Sequence, residues 1–382
     1  MGRPHRIQVN APTISGGDRR AVDEVLASGW IGTGPQCAAF ESELAAFLGA
    51  EHVVCVSSCT AAIELMLDHI GLRPGARVAV PSWTYVATAL PAVHRGAEIV
   101  LVDSDPGTLA MDSDSLERAL RTGIDVVIPV HLAGVPVPRV VWDLAADCGA
   151  VVVEDAAHAF GASDELGFLR GKGSVGAAFS FHATKNLTCG EGGAVVTTDG
   201  DLARALRHTR LHGLELDAWD RETSGTWLMG DVEQPGRKAN LPDILAALGR
   251  SQLATFPERQ AVRRSLVDRY RENLAAIDGL AVVPADRHAG SADHLLMVIL
   301  PPGFHRGTVV EALACEGIST GLHYTPLHRL SWFATNATHA PGGLPVCESS
   351  ADRAMTLPLH ASLTLDNVDE VCETLASCLS HA

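Results

Sequence analysis

The chain opens on a helical alternation. From residue 18, DRRAVDEVLASG spaces its apolar positions three and four apart and stops at Gly29; CAAFESELAAFLG repeats the pattern as far as Gly49. Residues 30–36 between them (WIGTGPQ) read as a loop. From residue 52 the period shortens. HVVCVSS, RVAVPS, EIVLVDSD, DVVIPVHL and AVVVEDAAH read as strands. TAAIELMLDHIG, TYVATALPAVHRG, DSDSLERALR and VVWDLAADCG read as the helices between them. Short apolar strands alternating with helices predict an α/β fold with a mostly parallel central sheet flanked by helices. AAFSFHAT and GGAVVTTD predict two further neighbouring strands joined by a Gly-rich turn.

Near residue 250 the pattern changes again. A long helical stretch, ATFPERQAVRRSLVDRYRENLAAI, leads to a strand at HLLMVIL, a helix at GTVVEALACEG and a last helix at DNVDEVCETLASCL. The expected division is a large α/β domain over residues 1–249 and a smaller α+β domain over 250–382. Residues 214–239, rich in Gly, Trp and charge, predict an irregular excursion of the length that is usually functional or disordered.

Composition narrows the classes of function. The 382 residues are 47% apolar and 19% charged, enough to bury a large core. A net charge of −16 argues against a nucleic-acid binder, which must neutralise phosphates. It leaves room for a small phosphorylated ligand, because local amides and a few cations outweigh the global field. Nine scattered cysteines with no CxxC pair, and no zinc-finger spacing, predict reduced thiols in a cytoplasmic protein with no metal site. The opening MGRPHRIQVNAPT lacks an apolar signal-peptide core, and no run reaches membrane-spanning length, so no membrane partner is expected.

Ligands of an open parallel sheet sit beyond the carboxyl ends of its strands, and four sets of polar residues fall there. Asp155 ends VVVED; it either caps the following helix or, at the rim of a dry crevice, partners a cation such as a protonated pyridine nitrogen. Lys185, in SFHATKN, is either a surface residue or a desolvated amine able to form a Schiff base. Ser57, Ser58, Cys59 and Thr60 stand where a strand runs into a helix, as ordinary caps or as a phosphate seat. Trp83 stands where another strand ends, in the core or stacked on an aromatic ring.

Taken together and in this order, these residues resemble the sugar aminotransferases, a branch of the aspartate-aminotransferase-like (fold type I) pyridoxal-phosphate (PLP) enzymes. The resemblance runs from about residue 7 to 375, through SSCTAAIELML, VPSWTYVATA, VIPVHLAG, VVVEDAAHAFGA, SFHATKNLTCGEGGAVVT, KANLPDILAALGRSQL and GLHYTPLH. It implies that Lys185 forms the Schiff base with PLP and that Asp155 pairs with the ring nitrogen. It also implies that Trp83 stacks on the ring and His158 approaches its hydroxyl. The phosphate would be held by Ser58, Cys59 and Thr60 with their backbone, by Ser180, and by Asn240 (or Lys238) of a second subunit, making the enzyme a homodimer with composite sites. His182 and Cys59 depart from the family, where an aromatic and a glycine are usual.

The stretch 212–227, with KANL after it, resembles the group that aminates carbon 4 of nucleotide-linked 4-keto-6-deoxy sugars, with L-glutamate as amino donor and dTDP the expected carrier. His323 and Tyr324 are candidate substrate contacts; Arg237, Lys238 and Arg329 are candidate cations for the diphosphate. The alternatives are a carbon-3 aminotransferase, a PLP-dependent sugar dehydratase and a silent PLP-fold regulator. Dehydratases of this fold carry histidine in place of the lysine, so Lys185 counts against the second. Retention of Lys185 and Asp155 counts against the third.

Overall fold

The structure is a computed structural model describing residues 6–165, 167–169, 171–228, 230–232 and 234–380. Residues 1–5 of the opening, and Met229 and Glu233 of the 214–239 excursion, lie outside the described residues.

Five strands form one parallel sheet. They are β2 (Arg77–Pro81), β3 (Glu98–Val102), β4 (Val126–Val127), β5 (Val151–Val152) and an edge strand contributed from Thr338–His339, in the order edge–β3–β2–β4–β5, while β1 (His52–Val56) pairs elsewhere. After one residue, β6 (Glu154–Asp155) carries the pairing onward: Asp155 N–H bonds to the Pro129 carbonyl at 2.9 Å, and Val130 bridges Asp155 in parallel. The short hairpin β7 (Ser163–Asp164) and β8 (Gly167–Phe168) lies apart. β9 (Ala177–Ser180) pairs parallel to β6, β10 (Gly193–Thr197) antiparallel to β9, and β1 antiparallel to β10. Reversal at β10 and again at β1 leaves β1, β2, β6 and β9 pointing the same way. Their carboxyl ends therefore share one edge, and the residues that follow them converge there. Consecutive residues of β9 and β10 are all buried, as expected of strands covered on both faces.

A further sheet is antiparallel: β11 (Ala281–Val283), β12 (Leu296–Ile299) and β14 (Ala354–Leu357); β13, Thr338–His339, is the edge strand of the parallel sheet above and not part of this one. Helices Phe256–Leu274, Arg306–Cys315 and Leu365–Ser380 pack against it around Tyr270, Leu313 and Leu375. Ile7 joins the same core and bridges Ile318, so the N-terminal segment is tied to C-terminal elements.

Several expected elements differ. The helix read at 84–96 is a 3-10 turn, Val86–Thr88, followed by the short helix Leu90–Val93. Pro91 sits at the start of that short helix, where its missing N–H costs nothing. The long tail helix expected over 254–277 is found at Phe256–Leu274, with Pro257 in its first turn, and a separate helix, Asp243–Ala254, precedes it across Thr255. Residue 250 thus lies inside a helix. Helices Gly200–Thr209 and Ala218–Ser224 were unread; the latter, inside the 214–239 excursion, starts at a reciprocal capping box between Asp217 and Asp220.

Candidate active site

At the shared strand edge lies a cavity of about 480 Å³, a size typical of cofactor and small-ligand sites. Ser58, Cys59, Thr60, Asp155, His158, Ser180, Lys185, His323 and Tyr324 all line it. The strand–loop junctions bring the first seven together. The last two arrive from the C-terminal part of the chain.

Lys185 follows β9 through a turn in which its N–H bonds to the His182 carbonyl at 2.9 Å. The His182 ring braces that turn: its Nδ1 lies 3.0 Å from Thr184 Oγ1, and Nε2 lies 3.7 Å from Glu191. The residue that departs from the family thus does hold the lysine segment. Burial pulls the Lys185 ammonium down to about 8, against the opposing pull of Cys59 and Asp155. Nζ has no hydrogen-bonding partner among the described residues.

Asp155 is buried at the end of β6. Its Oδ1 accepts from the Ala157 N–H at 3.0 Å and its Oδ2 from the Thr88 hydroxyl at 2.7 Å. The Cys59 thiol points at the Ala178 carbonyl (3.2 Å) with Asp155 Oδ1 at 3.8 Å, and burial beside that carboxylate pushes it well above the usual thiol range. It is a packed thiol with no thiolate chemistry.

Helix Cys59–His69 starts at the cavity. Ser58 caps it, its Oγ accepting from the Ala61 N–H at 3.1 Å, which leaves the amides of Cys59 and Thr60 without an intrahelical acceptor. A Cβ on Gly193 would lie 2.5 Å from the Ser58 carbonyl carbon and 2.6 Å from the Cys59 nitrogen, so only glycine lets β10 run this close beneath the helix start. Free amides, the helix dipole and the Ser180 and Thr60 hydroxyls form a cradle that suits a phosphate.

The far wall is a cluster of neutral rings. His158 Nδ1 accepts from the Ala133 N–H at 3.3 Å, so Nε2 carries the proton and donates to the Tyr324 hydroxyl at 2.9 Å. The Tyr324 proton is left free for a ligand. Burial, with Lys185 and His323 nearby, holds His158 well below the usual imidazole range. Burial and then Lys185 bring His323 down to about 4, and burial raises the Tyr324 phenol.

Trp83 is a correction. Its side chain is fully buried, donates through Nε1 to the His323 carbonyl at 3.0 Å, and is absent from the cavity wall. Two residues on, Tyr85 occupies the wall with its ring half-exposed, 5.3 Å from that of Tyr324. The aromatic available for stacking is therefore Tyr85. Thr84 and Thr88 were likewise missed, although all three stand in the quoted motif VPSWTYVATA.

The remaining candidates lie elsewhere in the same chain. Asn240 donates to Thr33 Oγ1 at 2.5 Å and accepts from Lys238 Nζ at 2.6 Å. Arg237 pairs with Asp68 at 2.7 Å, and Arg329 with Glu348 and Asp352 at 2.6 and 2.7 Å. None of these four lines the cavity. Among the described residues of its wall, Lys185 is the only lysine and arginine is absent. A different cluster, Cys37, Glu41 and Cys55, has the donor types of a metal site, but Arg210 already pairs with Glu41 there.

Residues 12–376 match the DegT/DnrJ/EryC1/StrS aminotransferase family. The chain is 36% identical, over all of its length and 99% of the relative's, to the spore coat polysaccharide biosynthesis protein SpsC of Bacillus subtilis (strain 168). Among solved structures it resembles the PLP form of the sugar aminotransferase Spr1654 of Streptococcus pneumoniae, with a TM-score of 0.87, 29% identity, and coverage of 100% of this chain and 99% of that one. It also resembles PseC of Helicobacter pylori, an aminotransferase involved in pseudoaminic acid biosynthesis, with a TM-score of 0.91, 25% identity, and coverage of 98% and 100%. The chain belongs to this family of fold type I, PLP-dependent sugar aminotransferases, and its cofactor is pyridoxal 5'-phosphate. Among the described residues no helix is long and apolar enough to cross a membrane.

Proposed function

We propose that this member of the family moves the amino group of L-glutamate onto carbon 4 of a nucleotide-linked 4-keto-6-deoxyhexose, giving a 4-amino-4,6-dideoxy sugar, with dTDP as the carrier. The observation that carries the chemistry is Lys185 and Asp155 on the walls of one cavity, the lysine amine depressed to about 8 by burial. The sugar position rests on the resemblance of residues 212–227 and of KANL to the carbon-4 group.

Bound here, PLP supplies an aldehyde that takes up amino groups and a ring that draws electrons from the adjacent carbon. The Cys59 and Thr60 amides, with Ser58 and Ser180, would hold its phosphate. The Asp155 carboxylate would keep the ring nitrogen protonated, and Tyr85 would cover the ring. Lys185 Nζ would hold the aldehyde and, once released, would carry the proton that leaves the donor's α-carbon. With the keto sugar as acceptor, the same amine would carry the proton in the opposite direction. Tyr324, its hydroxyl proton free, is a donor to the sugar.

A homodimer completes the site. Among its described residues the wall has none of the arginines that a diphosphate or a dicarboxylate calls for, while the 237–240 segment carries Arg237, Lys238 and Asn240 outside the cavity of its own chain. Exposed Trp227, Leu228 and Val232 on the same excursion leave apolar surface for a second copy to cover. Nine free cysteines suit the cytoplasm, where we place the enzyme.

Incubation with glutamate and a dTDP-linked 4-keto-6-deoxyhexose, followed by NMR location of the new nitrogen, tests the substrate. Nitrogen on carbon 4 is expected. Nitrogen on carbon 3, or turnover only with free keto acids, refutes the substrate while leaving PLP chemistry in place. The composite site has its own test. Inactive Lys185→Ala subunits mixed with inactive Asn240→Ala subunits should recover activity, because one site of each mixed dimer then holds both native residues. No recovery despite confirmed subunit exchange, with recovery in the parallel Lys238→Ala mixture, would move the contact to Lys238.

A further inference from the structure

Asp155 is gripped from a direction that its role toward the ring nitrogen does not by itself require. Oδ2 accepts the Thr88 hydroxyl proton at 2.7 Å, and Thr88 Oγ1 lies 2.7 Å from Thr84 Oγ1. A threonine hydroxyl has one proton to give. That of Thr88 is committed to the carboxylate, so between the two threonines Thr84 donates and Thr88 accepts. The order of donation is therefore one-way: Thr84 to Thr88 to Asp155.

All three side chains are buried, at 2%, 1% and 6% exposure. Neither hydroxyl has a further partner among the described residues, so neither is there to satisfy a stray backbone group. A buried position with no polar task is better filled by valine, the same shape without a hydroxyl to desolvate. Local folding sets the pair up. Beyond β2 the chain bends and closes a 3-10 turn in which the Thr88 N–H bonds to the Tyr85 carbonyl at 3.1 Å, carrying Thr88 back over Thr84. Both threonines line the cavity that Asp155 lines. In a low-dielectric wall, each hydroxyl of such a chain polarises the next, and the last bond is charge-assisted.

We infer that Thr84 and Thr88 are positioning residues: a two-hydroxyl relay that fixes the rotamer of Asp155 and holds it as an acceptor for the protonated ring nitrogen. The relay rests on the reading of Asp155 given above. With Oδ2 held by Thr88 and Oδ1 by the Ala157 amide, the carboxylate cannot turn away when the ring is absent, so the site is organised before the cofactor arrives.

The test titrates the full chain, freed of cofactor, with pyridoxamine 5'-phosphate, which needs no bond to Lys185, and separately with inorganic phosphate, which reports the phosphate cradle alone. Thr88→Val should weaken pyridoxamine phosphate about tenfold, the scale of one charge-assisted hydrogen bond. Thr84→Val should weaken it less, and Thr88→Ser, which keeps the hydroxyl, should bind as wild type. Phosphate binding should be the same in all. Wild-type affinity in Thr88→Val, with Asp155→Asn weakened, overturns the relay and leaves the Asp155 reading standing. Wild-type affinity in both overturns the two together. Equal loss of phosphate and pyridoxamine phosphate, or a Thr88→Ser variant as weak as Thr88→Val, makes the threonines structural and overturns the relay. Should Thr88→Val not fold, Thr84→Val decides, wild-type affinity there being the adverse result.

Discussion

Lys185→Ala should lose transamination by at least ~10⁴-fold, because one amine serves as both covalent anchor and proton carrier. The variant should still bind the cofactor through the Cys59–Thr60 helix start and Asp155, since neither depends on the lysine. Wild-type protein should be yellow, and borohydride should fix the cofactor to Lys185, as peptide mapping would show. A modified lysine elsewhere would remove Lys185 from its role. The depressed amine adds a pH signature. Burial disfavours the ammonium and lowers its midpoint to about 8, so the neutral, nucleophilic form grows as pH rises through that value. Capture of PLP by cofactor-free protein should therefore accelerate between about pH 7 and 9 and level off above, well before an exposed lysine would. A rise that continues past pH 10 would mean that Nζ is solvated.

Asp155→Asn should cut turnover by roughly 10³-fold, the scale expected when a preorganised charge is removed from a dry site. The change keeps the shape and the Ala157 contact but removes the anion, so the ring nitrogen loses the partner that keeps it protonated. Thermal stability should change little by comparison, which separates this loss from unfolding. Near wild-type rates in a folded variant would end the proposed role of Asp155. The two substitutions also differ in kind. Lys185→Ala removes the proton carrier but leaves cofactor affinity largely in place, whereas Asp155→Asn should weaken pyridoxamine phosphate binding as well.

Much of this site was legible in the chain because it depends on local pattern. Short apolar runs with covered faces specify strands, and in a parallel sheet the residues after each strand end meet at one edge. Ser58–Thr60, Asp155, Ser180 and Lys185 are found there because β1, β6 and β9 point the same way. The Gly-rich turn before β10 was readable too, and Gly193 is required because a Cβ there would lie 2.5 Å from the Ser58 carbonyl carbon.

What the pattern left undecided is the direction of side chains where the backbone stops repeating. Residues 82–88 continue neither the strand nor a helix, so no period says which of Trp83 and Tyr85 faces the cavity. The indole N–H decides it: buried, it needs an acceptor, and the one it finds is the carbonyl of His323, 240 residues away. That bond turns Trp83 into the core, puts Tyr85 on the wall, and brings the His323–Tyr324 segment over Lys185. The Thr84–Thr88–Asp155 chain arises from the same bend. Strand order and helix starts follow from local propensity and burial, whereas these contacts exist only once the C-terminal segment has packed against the sheet edge and each buried donor has found its acceptor.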